Sequence, residues 1–495
     1  MMPFKVLPVR PSLESLQEEA QAALAREYGF AGWEQLRREV LRRAGHGLTW
    51  ALEEGRRAIR DRNLEQLKQL VAENPGLLSY QDEGGKSLLG IATESFSDSV
   101  KPESEQTFTR SESVAFLLDQ GAAVYPRIWE DMIRARTRGL LELFWGRGLL
   151  PQTLPIWAAV GDIGAIRARL AQHQDDAATV AKAFLNAARL KHLEAAALLL
   201  DRYLEGHPEL ASRIEHGPGR VAFAAYFGEH AVEHDDLWLA YTLNQLLEAI
   251  TSDDFLSFTQ KLPNEPALLG PSNIDAQVKM LEWAVTGDHA PFIEYLLKLD
   301  PAVLHVRPRP RSDAIEFALD YGHARLIPLL ARVWPIPQDL PHAAGLGDFA
   351  AVKQWFDAAG RPALGELENH YPVNAPRRRG DLHWGEGNAQ QVLDVALAWA
   401  CINHHLDIAA FLLEHGANVS TNWGTHEPAS ILHECVIRKD REGVQFLIDH
   451  GVDLTMCDWR WDGTAQEWAY VAAKDMEMSD LLSAAQKQRE NPPGS

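Results

Sequence analysis

The chain has 495 residues, of which 46% are hydrophobic and 24% are charged, and its formal net charge is −21 at pH 7. This composition is ordinary for a soluble folded protein, and its acidity argues against nucleic-acid binding, which needs a basic surface. Three scattered cysteines exclude a disulfide framework, and the sequence contains neither a signal-like start nor an apolar run of about 18 residues. We therefore expect a cytoplasmic protein without a membrane span.

The chain opens with a helical segment and continues with helix pairs. Residues 13–44 contain apolar stripes at helical spacing, and they predict a helical cap for the elements that follow. Further stripes end at Gly-containing turns, as in Val114–Leu118 before Gln120-Gly121, and the turn at 157–162 reappears at 343–348. A polar, serine-rich stretch near 94–110 predicts a loop insertion.

The middle of the chain departs from this spacing. Between residues 205 and 275 the period is hard to follow and aromatic residues accumulate, including Phe223, Tyr226 and Trp238. This pattern indicates either a diverged repeat or an additional helical element.

Near the C-terminus one unit appears twice. Residues 403–419 contain His404-His405, Phe411-Leu412-Leu413 and Gly416, and residues 440–455 repeat this arrangement about one unit later. A short helix, a tight turn, a second helix ending near a glycine and a polar loop form the pattern of an ankyrin repeat. Such a unit buries its apolar face only by stacking on its neighbours, which predicts an all-α solenoid of helix pairs.

The chain resembles the bacterial ankyrin-repeat proteins, most specifically over residues 389–485. The resemblance implies stacked helix pairs and a protein-binding role, with contacts on a concave face. It also implies structural roles for His405 and His433, which match a position where ankyrin repeats carry a histidine that bridges turns. In chain order the predicted segments are a helical cap (1–47), repeats with the insertion near 94–110 (48–204), divergent helices (205–275), degenerate repeats (276–361), a long loop (362–388), well-formed repeats (389–485) and a flexible tail (486–495).

Three loops of the C-terminal repeats are rich in aromatic and charged residues. Trp384, Trp423 and Trp459 lie 39 and 36 residues apart, so neighbouring repeats should place their loops on the order of 10 Å from one another. Tryptophan and arginine are typical of binding hot spots. The candidate ligand-binding residues are His383, Trp384, Glu386, Trp423, Trp459, Arg460 and Trp461. The candidate catalytic residues are His426, Glu427, Asp458 and Asp462.

The sequence leaves three interpretations of these loops open. The aromatic residues could fasten long loops to the repeats, or the loops could recognise a protein partner. In the third interpretation they form a small-molecule pocket or an active site, with carboxylates and histidine as metal-independent acid and base. Cysteine and histidine spacing is a weak match for a metal site, and no nucleotide-binding motif occurs, so we expect no cofactor. The favoured prediction is a protein partner, with catalysis left uncertain.

Overall fold

The fold is described from a computed structural model. It covers residues 24, 47–82, 85–94, 109–229, 234, 236–306, 314–372, 387–423, 429–458 and 463–490. Apart from Leu24, the predicted cap at 13–44 lies outside these residues, as does most of the predicted insertion near 94–110.

The regular structure of the described residues is helical. Beside the helices there are isolated antiparallel bridges, at Gln81 with Ser87, Phe356 with Pro362 and Cys457 with Thr464. The predicted all-α architecture of helix pairs is therefore confirmed. No helix within the described part of the chain is long and apolar enough to cross a bilayer.

The chain divides into two units, Met1–Leu150 and Pro151–Ser495. The block of repeats predicted over 48–204 is thus shared between them. The first unit contains helices α1 (Gly47–Arg60), α2 (Leu64–Glu73), α3 (Leu88–Thr93), α4 (Ser111–Asp119), α5 (Pro126–Arg134) and α6 (Arg138–Gly146), and a 3-10 helix at Pro75–Leu78.

The second unit contains most of the helix pairs. Its helices up to residue 330 are α7 (Leu154–Val160), α8 (Ile163–Leu170), α9 (Ala177–Arg189), α10 (Leu193–Glu205), α11 (Pro208–His216), α12 (Arg220–Glu229), α13 (Leu237–Thr251), α14 (Phe255–Lys261), α15 (Ile274–Thr286), α16 (Ala290–Lys298), α17 (Ala314–Asp320) and α18 (Ile327–Leu330). The remaining helices are α19 (Leu340–Gly345), α20 (Phe349–Lys353), α21 (Ala389–Ile402), α22 (Leu406–Glu414), α23 (Ile431–Ile437), α24 (Arg441–Asp449), α25 (Ala465–Val471) and α26 (Met476–Glu490). Short 3-10 helices occur at Leu262–Asn264, Pro266–Leu269, Pro271–Asn273, Ala302–His305, Ala324–Leu326 and Leu367–His370.

Local sequence explains where the second helix of a pair begins. Asp162, Asp348 and Asp440 are N-caps whose carboxylates accept hydrogen bonds from backbone N–H groups in the first turns of α8, α20 and α24. An aspartate at this position satisfies a donor that the helix cannot satisfy itself. The first helices of successive pairs then pack side by side, for example α7 with α9, α13 with α15 and α21 with α23.

The irregular middle contains two additional helices. α11 and α12 lie between the pair α9–α10 and the pair that starts with α13. Phe223 and Phe227 of α12 are buried against Phe184 of α9, with ring centroids 6.2 and 5.5 Å from the Phe184 ring. Phe223 and Phe227, two of the aromatic residues in the irregular stretch, are therefore core residues of this local insertion.

The C-terminal helix is longer than the sequence predicted. α26 continues to Glu490, into the segment that we expected to be a flexible tail from residue 486. Arg489 explains the extension, because its guanidinium donates to the carbonyl oxygens of Ile448 and Val452 in the preceding repeat. These bonds fix the last turn of the helix to the repeats.

The first helices end at a residue with left-handed backbone conformation. Where this residue is Gly347 (φ +76°), the His405 ring lies so close that an added Cβ would be 2.6 Å from His405 Cε1. A side chain at this position would therefore meet both backbone strain and steric overlap.

We expect Gly347→Ala to lower the free energy of unfolding by about 2–4 kcal/mol, from about 1–2 kcal/mol of backbone strain plus overpacking. Gly451→Ala is the matched control, because Gly451 also has positive φ (+85°) but nothing lies within 4 Å of an added Cβ. Urea denaturation followed by circular dichroism measures both. Equal losses in the two variants would show that the approach of His405 contributes nothing.

Candidate functional site

The structure describes two of the predicted site residues, Trp423 and Asp458. The others lie outside the described residues: His383, Trp384, Glu386, His426, Glu427, Trp459, Arg460, Trp461 and Asp462. Trp423 and Asp458 each directly precede a loop that carries several of them. They therefore show how these two loops begin.

Trp423 is a core residue and has no exposed surface. Its indole Nε1 donates to Asp320 Oδ1 at 3.4 Å. Beside it the loop base is closed, because the N–H of Ile431 donates to the carbonyl of Thr421 at 3.1 Å. The structure thus corrects the expectation that Trp423 presents its ring to a ligand, since a fully buried indole has no surface to offer.

Asp458 is also buried, and its carboxylate is engaged in fixed hydrogen bonds. Asp458 Oδ2 accepts from the N–H of Gly463 at 3.0 Å and from Trp468 Nε1 at 2.9 Å. The N–H of Asp458 donates to the Gly463 carbonyl, which closes the loop over 459–462. We therefore replace the candidate acid–base role of Asp458 by a structural one, because this carboxylate is sealed from solvent.

His433 connects two neighbouring repeats. One ring nitrogen, Nδ1, lies 2.8 Å from the Ser430 hydroxyl, and the other, Nε2, lies 3.1 Å from the carbonyl oxygen of Gly463. Burial lowers the pKa of His433, which favours the neutral ring that such a bridge uses. The predicted bridging role of His433 is confirmed, and it fixes the base of the 459–462 loop.

A buried polar centre lies between α17, α21 and α23. Asp320 Oδ1 accepts from Trp399 Nε1 at 2.7 Å, in addition to the Trp423 indole. The carbonyl oxygens of Asp320 and Tyr321, at the end of α17, accept from Arg438 Nη2 at 2.9 Å and Nε at 3.4 Å. Arg438, which directly follows α23, therefore caps the C-terminal end of α17, although the helix pairs α19–α20 and α21–α22 lie between them in the sequence.

The Arg438 guanidinium is also paired with a buried carboxylate. Its Nη1 forms an ion pair with Glu434, one turn earlier in α23, and donates to the Glu434 carbonyl oxygen at 2.9 Å. The side chain of Glu434 is completely buried. A buried ion pair of this kind depends on both members being present.

The same register position can be followed along the first helices. It lies five residues before the left-handed residue that ends each helix, and we call its members the row: Glu248, Trp283, Phe317, His342, Trp399 and Glu434. The rings of His342 and Trp399 lie 5.0 Å apart, so the row is continuous there. His342, Trp399 and Glu434 are buried, whereas Glu248 and Trp283 are exposed.

The face of the first helices is therefore closed at the C-terminal repeats. Every residue of α21 from Gln391 to Ile402 is buried. The sequence carried a signal for this, because a helix that is apolar on all sides is a buried helix. Within the described residues, α21 therefore offers no exposed side chain from Gln391 to Ile402 to a partner, and the exposed Trp283 is a candidate that the sequence analysis missed.

One carboxylate near this site has a strongly shifted pKa. Burial raises the pKa of Asp394 in α21 to about 6, although its carboxylate accepts hydrogen bonds from the Asn418 N–H and from Gln390. Both bonds go to Oδ1 at 2.8 Å, so an asparagine could keep them. A raised folded-state pKa means that this group stabilises the fold fully below its unfolded value of 3.8, and that this stabilisation is lost as the pH rises through about 6.

Asp394→Asn is accordingly expected to be more stable than the native protein at pH 7 to 8, by about 1–3 kcal/mol, because it removes a buried charge. The advantage should shrink as the pH falls to about 4. Urea denaturation over this pH range measures it, with Asp407→Asn on the exposed surface of α22 as control. A difference between Asp394→Asn and native protein that does not change with pH would contradict the assignment.

The cysteines and metal-ligating groups add no further chemistry to the described site. Cys401 and Cys435 are buried, free core residues, and burial raises the pKa of the Cys435 thiol to about 12. Among the described residues no cluster of three or more histidine, cysteine or acidic side chains could hold a metal ion. The hydrogen bonds of Trp423 and Asp458 hold the residues that directly precede 424–428 and 459–462 in a fixed position.

Comparisons with known proteins identify the repeats. Residues 383–458 match a family model described as "Ankyrin repeats (3 copies)". The human BCL-6 corepressor-like protein 1 is 33% identical over 99 residues, which are 20% of this chain and 5% of that protein. A solved structure of the human ASB11 ankyrin repeat domain shares 17% identity, with 48% of this chain and 96% of that domain covered and a TM-score of 0.19. The C-terminal part of the chain thus contains ankyrin repeats; a bacterial origin stays a prediction.

Proposed function

We propose that this chain is a cytoplasmic protein whose ankyrin repeats bind a protein partner, with the loops that begin at Trp423 and Asp458 as contact sites. Ankyrin repeats typically serve protein interaction, because stacked repeats give an extended surface that loops can vary. The human relative is called a corepressor-like protein, a name that is compatible with an interaction role.

The observation that supports the proposal is that the residue before each of these loops is fixed in the core. Trp423 and Asp458 are buried and hydrogen-bonded immediately before segments with the sequences Gly424–Pro428 and Trp459–Asp462. A rigid base reduces the conformational entropy that a loop loses when it binds. Trp459, Arg460 and Trp461 are of the residue types that dominate binding hot spots.

The charge of this region favours a basic partner. Residues 389–490 contain sixteen acidic and seven basic side chains. An acidic surface attracts a basic partner and accelerates its association at low ionic strength. Arg460 would then serve as a local contact within an otherwise acidic region.

Affinity capture from a host lysate tests this proposal. The native protein is compared with Trp459→Ala/Trp461→Ala and with Tyr470→Ala, a matched aromatic control that is 58% exposed in the adjacent helix α25. Trp423 is left unchanged because it belongs to the core. We expect one stoichiometric protein to be captured by the native chain and by Tyr470→Ala, but not by the loop variant. Circular dichroism verifies that all three are folded, and equal capture by all three would overturn the role of the 459–462 loop.

A further inference from the structure

The exposed members of the row, Glu248 and Trp283, lie on α13 and α15, outside the C-terminal repeats. Trp283 of α15 is 43% exposed, although tryptophan side chains are mostly buried in folded proteins. Phe317, the next member of the row, is half-buried, and its ring stacks on Tyr321 with centroids 5.9 Å apart. Two successive first helices, α15 and α17, pack together, so these aromatic side chains lie on adjacent repeats.

The neighbour of Trp283 on the other side is a carboxylate. Glu248 occupies the row position of α13, which packs against α15, and its side chain is exposed. Its Oε2 accepts a hydrogen bond from the Tyr226 hydroxyl of α12 at 3.3 Å. Neighbouring helices are separated by about 10 Å, a distance that one long side chain of a ligand can bridge.

The side chains of this surface favour the binding of a positively charged group. An exposed indole face attracts the guanidinium of arginine or the ammonium of lysine through its ring quadrupole, and a nearby carboxylate adds Coulomb attraction. Trp238, in the same unit, already shows the preference, because the Arg213 guanidinium lies 5.3 Å from its ring centroid and pairs with Glu265. That arrangement consists of three groups: an indole, an arginine and a glutamate. Trp283 and Glu248 offer the indole and the glutamate.

We propose that Glu248, Trp283 and Phe317 bind a basic peptide segment of the protein partner, with an arginine or lysine side chain over the Trp283 indole and directed to Glu248. This inference rests on the proposed protein-binding function and names the chemistry of the partner. The net charge of −21 favours a basic segment over an acidic one. The same charge disfavours a second copy of this chain as the occupant.

The test uses the full chain and a display library of random peptides. Peptides selected on the immobilised native protein are sequenced, and the dissociation constant of the most enriched one is measured by fluorescence anisotropy. The variants are Trp283→Ala, Glu248→Gln and the control Leu256→Ala, whose side chain is 66% exposed on α14, a second helix. Circular dichroism verifies the fold of each variant. Glu248→Gln keeps the size of the side chain and therefore tests its charge without disturbing packing.

We expect the enriched peptides to be rich in arginine and lysine. The dissociation constant should rise about tenfold in Trp283→Ala and by about threefold in Glu248→Gln, stay unchanged in Leu256→Ala and increase with salt. Enrichment of acidic or uncharged peptides would overturn the inference, and so would equal affinity of Trp283→Ala and native protein. Such a result would leave the proposed function standing if the lysate partner is still lost in Trp459→Ala/Trp461→Ala.

Discussion

Trp423→Ala is expected to lower the free energy of unfolding of the C-terminal repeats by about 3–5 kcal/mol. The indole has no exposed surface, and it contributes both apolar burial and a hydrogen bond to Asp320. Its removal leaves a cavity at the contact between the 421–431 loop base and α17. Urea denaturation followed by far-ultraviolet circular dichroism measures the loss without depending on tryptophan fluorescence.

Tyr470→Ala is the control for this experiment. Tyr470 is a large aromatic residue in the same repeats, but most of its side chain is exposed, so its removal should change the stability by less than about 0.5 kcal/mol. If Trp423→Ala were as mild as Tyr470→Ala, the tryptophan would have to lie at the surface. The placement of Trp423 in the core would then be wrong.

Arg438→Ala is expected to lower the free energy of unfolding by about 3–5 kcal/mol, because it removes one member of a buried ion pair. The completely buried Glu434 would lose its guanidinium, and the carbonyl oxygens of Asp320 and Tyr321 would lose their donors at the end of α17. The variant should therefore loosen α17 as well as α23. Hydrogen exchange resolved by peptide should show faster exchange in residues 314–320, far from the substitution in sequence.

Arg441→Ala provides the matched comparison. Arg441 also forms ion pairs, with Asp475 and Glu477, but its side chain is 52% exposed, so its removal should lower the stability far less than the removal of Arg438. Arg438→Lys should recover only part of the loss, because an ammonium keeps the charge but lacks the planar fork that contacts two carbonyl oxygens. Unchanged exchange in α17 for Arg438→Ala would contradict its role as a helix cap.

Trp423→Ala and Arg438→Ala lie in the region where the site predicted from the sequence and the structure differ most. We expected a protein partner to contact the concave face and the C-terminal loops, with Trp384, Trp423 and Trp459 on neighbouring loops. In the structure, the row is closed there by contacts among α17, α21 and α23 and open at Glu248 and Trp283. The proposed contact residues at 459–462 and the exposed members of the row, Glu248 and Trp283, are therefore tested by separate experiments.

Much of the fold could be predicted because its determinants are local. Apolar spacing within one helix, an aspartate before the second helix and a glycine after it specify a helix pair without reference to the rest of the chain. His433 was assigned correctly because its partners, Ser430 and Gly463, belong to the same and the next repeat. The helices α11 and α12 were less clear, because their aromatic residues pack outside the repeat pattern.

The sequence by itself determined the all-α repeats and the residue types of the C-terminal loops. Only the tertiary structure decided which tryptophans are buried. Trp399 and Trp423 donate to Asp320, which is 79 and 103 residues away, and Arg438 reaches the same residue across 118 residues. Periodicity reports which face of a helix is apolar, but it does not report whether a distant helix covers that face. Trp283 has the same side chain, but among the described residues no distant helix covers it in this way, and it is 43% exposed.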